Sequence, residues 1–134
     1  MSYYIARTVS GPFETVVADV VERLRAQGFG VLSDIDVQAT LKAKLGADMP
    51  PYRILGACNP AFAHQALQIE DKLGVLLPCN VIVRETADRR VEVASVDPVV
   101  SLGRTGNAAL ATTAEEVRRR LASVIEAVAS QPAQ

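Results

Sequence analysis

Asn80-Val81-Ile82-Val83-Arg84-Glu85 and Val91-Glu92-Val93-Ala94-Ser95-Val96, parted by the polar turn Ala87-Asp88-Arg89-Arg90, decide the fold class. Both runs are rich in β-branched residues, and Val91 and Val93 alternate with Glu92, as in a half-buried strand. Together they predict an antiparallel hairpin that Asp97-Pro98 ends. Upstream, Tyr3–Val9 reads as a strand. After Ser10-Gly11-Pro12, the residues Phe13, Val16, Val17, Val20, Val21 and Leu24 recur at spacings of three and four. That is one apolar stripe of an amphipathic helix, and Gly28 is a natural stop for it. Phe29–Ile35 and Tyr52–Cys58 read as strands. Between them Asp36 can cap a short helix carrying Val37, Leu41 and Leu45, which Gly46 ends. Asn59-Pro60 starts a helix that runs to about Asp71, with Asn at the cap and Pro in the first turn.

Gly74–Leu77 is short and apolar, and Pro78 interrupts it. The stretch Val99–Ala111 has no clear pattern. Thr112 and Thr113 precede Glu115 and Glu116 by three residues, so a capping box is available before a last amphipathic helix over about 113–129. Ser130–Gln134 is expected to fray. The predicted order is therefore β-α-β-α-β-α-β-β-α. Strict alternation alone would suggest a parallel α/β fold. The late hairpin argues instead for an α+β fold, a mixed or mainly antiparallel sheet with helices packed on one face.

The chain has 134 residues, which fits one domain over 1–134, with a core over about 3–100 and the C-terminal helix added to it. It carries 14 Lys and Arg against 15 Asp and Glu, no Trp, three Tyr and three Phe. This gives no basic face with stacking aromatics, so no nucleic-acid partner is expected. Two cysteines exclude a disulfide-dense secreted scaffold. No apolar run is long enough to span a bilayer and the N-terminus lacks the pattern of a signal peptide, so no membrane partner and a cytoplasmic location are expected. Gly103-Arg104-Thr105-Gly106 lacks the lysine and the context of a phosphate loop. No cofactor and no metal are expected.

Two motifs stand out, Cys58-Asn59-Pro60 and Pro78-Cys79-Asn80. Each places a cysteine before an asparagine at the boundary of an element. Cys58 lies just outside a helix N-terminus, where free N–H groups favour negative charge and a thiol can become reactive. His64, one and a half turns into that helix, could approach the cap. Several roles compete. Free cysteine commonly serves as a small buried apolar residue, and Asn59 and Asn80 are explained as a cap and a turn former. A redox pair needs Cα atoms within ~7 Å. A zinc site from Cys58, Cys79 and His64 lacks the usual close spacing of ligands. Arg53, on a predicted strand, suits an exposed face or the rim of a cleft. Asp34 and Asp36 form a carboxylate pair by spacing, but capping accounts for Asp36. Arg118-Arg119-Arg120 reads as a solvated helix face.

The segments Phe29–Lys42, Pro51–Pro60 and Leu76–Val83 resemble recurring segments of the DUF302 family of small bacterial and archaeal proteins. The resemblance spans roughly residues 3–100. It implies a compact α+β domain that typically forms a homodimer. It supplies no catalytic residues, but it places Cys58, Asn59, Cys79 and Asn80 inside the family's recurring segments.

Three functions follow from these readings. The first is a homodimeric module that binds a small anionic or apolar molecule near Cys58, Asn59, Cys79 and Asn80, with Arg53 and His64 nearby. The second is a thiol-dependent redox or detoxifying enzyme, with Cys58 or Cys79 as the catalytic candidate. The third is a structural dimer used as an interaction scaffold.

Overall fold

In the computed structural model, which describes residues 2–131, five strands form one sheet. These are β1 (Tyr4–Val9), β2 (Gly30–Asp36), β3 (Tyr52–Cys58), β4 (Cys79–Glu85) and β5 (Val91–Val96). Their order is β1-β5-β4-β3-β2, and every neighbouring pair is antiparallel. The predicted hairpin is β4–β5, and it pairs Val83 with Val93 and Arg84 with Glu92. Its turn closes through Thr86 and Arg90, with Arg89 in the left-handed region at φ 63°.

The helices are α1 (Phe13–Ala26), α2 (Val37–Leu45), α3 (Pro60–Ile69), α4 (Pro98–Gly103) and α5 (Ala111–Ala127). The stripe predicted for α1 buries Val16, Val17, Val20 and Leu24. Glu14 in its first turn and Arg23 and Arg25 in its last suit the helix dipole. Gly28 has φ +88°, and the Phe29 N–H beyond it donates to the Leu24 carbonyl. This is the left-handed stop expected there. Asp36 caps α2 by accepting from the Ala39 N–H, and Gly46 ends it at φ +68°. Asn59 caps α3 by accepting from the Phe62 N–H.

The period of two in the strands decides which residues leave water. Leu55 and Ala57 of β3, Val81 and Val83 of β4, and Val91 and Val93 of β5 are buried beneath α1 and α5. Leu24 from α1 and Leu121, Val124 and Ile125 from α5 complete this core. A smaller cluster of Ala66, Leu73, Leu102, Leu110 and Ala114 joins α3, α4 and the start of α5.

Three local readings are corrected. The unpatterned stretch 99–111 contains most of α4, capped by Asp97, and a 3-10 turn over Ala108–Leu110, capped by Asn107. That turn runs straight into α5, so no Thr112 or Thr113 capping box forms, and Thr113 is buried instead. Ser130 and Gln131 do not fray. Ser130 Oγ accepts from the Ser10 N–H, and the Gln131 N–H donates to the Ser10 carbonyl at 2.7 Å. The rest of the expected fraying segment, 132–134, lies outside the described residues.

Gly56 has a role that its strand position does not announce. A Cβ there would lie 2.8 Å from Cγ of Pro78 and would also overlap the Ser33 hydroxyl. Ser33 can rotate away, but the Pro78 ring is held by the chain on both sides. Gly56→Ala should therefore destabilise the protein by about 1–3 kcal/mol, the usual range for overpacking. Gly103→Ala meets nothing within 4 Å and should be neutral or slightly stabilising. Urea unfolding of both variants checks the contrast.

Candidate functional site

The two Cys-Asn motifs meet at one end of the sheet. Ala57 and Cys79 are register partners across β3 and β4, so Cys58 stands one residue beyond the partner of Cys79. Cys58, Asn59 and Cys79 all line one cavity. Its floor is Phe29, Ala57 and Pro78, its near wall is Phe62, Ala63 and Ala66 of α3, and its far wall is Leu102, Thr113 and Val117. Leu73 and Leu77, from the segment joining α3 to β4, close it below. The enclosed space is about 40 Å³ and opens into a wider cleft.

The lining residues are apolar apart from Asn59, Thr113 and the two cysteines. Cys79 is buried and Cys58 half-buried, and both are free. Burial pushes the Cys79 thiol up to about 11, and the charge of Cys58 adds to the shift. At neutral pH Cys79 is therefore a neutral thiol. Gly28 packs against Asn59, because a Cβ at Gly28 would fall 2.9 Å from its Nδ2. Arg120 stacks over the Phe62 ring at 5.2 Å, a cation–π contact, and its Nη1 donates to the Gln27 carbonyl at 3.0 Å. These contacts fix the start of α3 against the end of α1 and the middle of α5.

The other candidates lie elsewhere. Asn80 points to the opposite face of the sheet, as strand alternation requires one residue after Cys79. His64 is exposed on α3 and is not part of the cavity lining. Arg53 is tied to Asp34 at 2.5 and 2.7 Å and to Glu14 at 3.1 Å, joining β3, β2 and the first turn of α1. The hydrogen bonds from Arg53 hold the Asp34 carboxyl below the usual range. In the arginine run, Arg118 pairs with the buried Asp97, while Arg119 and Arg120 pair with Glu116 and lower its carboxyl to about 2. Among the described residues, no three His, Cys, Asp or Glu side chains are grouped closely enough to hold a metal.

The sequence reading named the cysteines but not the walls around them. Phe62 and Ala66 lie four apart on α3, and Thr113 and Val117 lie four apart on α5. Each pair is one inward-facing turn, a signal that the helical period carries.

The opposite face of the sheet has its own pattern. Ile35, Ile54, Ile82, Ala94 and Ala6 are successive register partners, and they form an apolar row from one edge of the sheet to the other. Tyr3, Tyr4 and Tyr52 border it, with Arg84 and Glu92 paired at 2.7 Å beside it. The concavity over β1, β5 and β4 holds about 500 Å³. No described helix is long and apolar enough to cross a membrane.

No curated protein matches the chain. Among solved structures it is similar to the crystal structure of an uncharacterized conserved DUF302 protein from Bacillus stearothermophilus. The TM-score is 0.89 at 27% identity, over 96% of this chain and 99% of that one. The model of DUF302, a domain of unknown function, matches residues 5–128, from the second residue of β1 through α5, which the sequence resemblance covered only in general character. The chain belongs to the DUF302 family.

Proposed function

We propose that this protein is a homodimeric binding module whose ligand site is the cavity beside Cys58, Asn59 and Cys79. The observation that carries the reading is that Cys58 and Asn59 from one motif and Cys79 from the other line one apolar cavity. The floor comes from the sheet and the walls from helices held by their own packing, so the site needs no large rearrangement to exist. Its small volume restricts the ligand to a few heavy atoms or to a short group inserted from the cleft. The two free thiols suit a reducing compartment such as the cytoplasm.

Thermal melting against a panel of small ligands tests this reading, because a ligand that binds only the folded state raises the melting temperature with concentration. A ligand of fewer than about ten heavy atoms is expected to do so, and Ala63→Leu, which fills the cavity, should abolish the shift while leaving the fold intact. A panel without any shift, or a shift that Ala63→Leu leaves unchanged, overturns the assignment.

A neutral, buried Cys79 does not support thiolate catalysis at that residue. The half-buried Cys58 should alkylate first at pH 8, with Cys79 following only as pH approaches about 11. Because the folded-state value lies above the unfolded one, near 9, the stability gained from the neutral thiol is complete below pH 9 and is lost as pH rises through about 11. Urea unfolding of the wild type should lose about 2–3 kcal/mol more over that interval than unfolding of Cys79→Ala.

The dimer reading is supported by the apolar row on the open face. An antiparallel sheet usually turns polar residues to solvent on its open side, whereas here Ile35, Ile54 and Ile82 stand in line. Light scattering should report twice the chain mass for the wild type and the single-chain mass for Ile82→Lys. The same change at Leu45, an exposed apolar residue on α2, should leave the dimer intact. A monomeric wild type, or a dimeric Ile82→Lys, rules this surface out.

A further inference from the structure

Thr113 is a polar group for which the packing of the helices gives no use. It lies in the first turn of α5, lines the cavity and is only 8% exposed. A helical threonine commonly turns its hydroxyl back to the carbonyl three or four residues earlier. Ser123 makes such a bond farther along α5, donating to the Arg119 carbonyl at 3.1 Å. On that pattern the carbonyls within reach of Thr113 belong to Ala109 and Leu110 of the 3-10 turn. Its hydroxyl bonds to neither, nor to any other described residue. Yet no fully enclosed side-chain nitrogen or oxygen among the described residues lacks a partner. The Thr113 hydroxyl must therefore reach accessible space, and the cavity is the space that Thr113 borders. A buried hydroxyl without a partner forgoes a hydrogen bond that a ligand can restore.

The surroundings offer nothing to a charge. No Asp, Glu, Lys, Arg or His lines the cavity. The N-terminus of α3 is already spent. Pro60 has no N–H, the Phe62 N–H donates to the Asn59 Oδ1, and the Ala63 N–H donates to the Asn59 carbonyl at 2.9 Å. That leaves the N–H of Ala61, an exposed residue outside the lining. Arg120, which lies over the lining residue Phe62, is committed to Glu116 at 3.1 Å and to the Gln27 carbonyl at 3.0 Å. A carboxylate entering here would lose its hydration and meet no free cation in return.

We propose that the cavity binds a small uncharged molecule with an apolar body and one hydrogen-bonding oxygen, and that the Thr113 hydroxyl donates to that oxygen. The inference rests on the cavity assignment above and narrows its ligand class from anionic or apolar to neutral with a single polar atom. Phe62, Ala66, Leu102 and Val117 supply the apolar walls for the body of the ligand. Thr113 supplies the one contact that orients it.

The test is titration of the full-length protein, followed by the backbone amide NMR signals of Ala66 and Val117, with three compounds of matched shape. These are butanone, the hydrocarbon 2-methyl-1-butene and propionate at neutral pH. Butanone and the hydrocarbon should shift the signals in a saturable way, and propionate should not. Thr113→Val keeps the shape of the side chain and removes the hydroxyl. It should weaken butanone about fivefold, the worth of one net hydrogen bond, and leave the hydrocarbon unchanged or tighter. Thr113→Ser, which restores the hydroxyl, should recover the binding of butanone. Propionate that binds as tightly as butanone overturns the proposal, as does a Thr113→Val variant that weakens both neutral ligands equally or neither. The cavity assignment is scored separately. If Ala63→Leu abolishes the binding of both neutral ligands while Thr113→Val changes neither, the cavity stands and the role of the hydroxyl does not. If no compound shifts the signals, or Ala63→Leu leaves the shifts as they were, the cavity assignment fails and this proposal with it.

Discussion

The alternation of β4 and β5 is the constraint on which the rest of the molecule depends. Val81, Val83, Val91 and Val93 can leave water together only on one face, and α1 and α5 cover that face. A one-residue shift of either strand would expose its two valines and bring its charged residue, Arg84 or Glu92, beneath the helices. The register is therefore set by the cost of exposing the valines and burying Arg84 or Glu92. Cys79 belongs to the same set as Val81 and Val83, so the force that builds the core also carries the thiol to its inner edge. Asn80, its neighbour, goes with Ile82 to the other side. Pro78-Cys79-Asn80 thus contributes to two surfaces at once.

Much of the fold was legible wherever a period ran long enough. The α1 stripe, the β4–β5 hairpin and the caps at Asp36 and Asn59 combine a repeating pattern with a turn or cap chemistry, and each appears where the pattern puts it. Short elements were not legible. The six residues of α4 hold too few turns to show a stripe, and its helix is stabilised by the Asp97 cap and by packing on α5. The capping box failed for a related reason. Thr112 and Thr113 had the right spacing, but a 3-10 turn capped by Asn107 already supplies the start of α5, which leaves Thr113 to be buried. Pairwise spacing cannot reveal that an upstream residue has taken the role.

The candidate site was legible at its thiols and not in its walls. The two motifs mark element boundaries, and the end of a sheet is where boundaries from separate segments meet. Orientation within each motif follows from simple periods. Strand alternation separates Asn80 from Cys79. On α3 each residue turns about 100°, so with Phe62 and Ala66 facing inward, His64 faces outward. Arg53 was placed on a strand, but its partners Asp34 and Glu14 lie on two other elements, and only the β2–β3 register and the packing of α1 bring them together.

The return of the chain to its beginning sets an order of assembly. Arg7 donates to the Val128 carbonyl, Ser10 exchanges hydrogen bonds with Ser130 and Gln131, and α5 lies against β1 and α1. These contacts span about 120 residues of sequence, among the longest separations available to the chain. In chain order β1 and α1 come well before α5, the helix that covers their apolar faces. Val16, Val20 and Leu24 therefore stay unshielded until α5 has formed and docked. Closing the core thus waits on the longest-range contacts in the fold, and until they form the apolar face of α1 is open to wrong association.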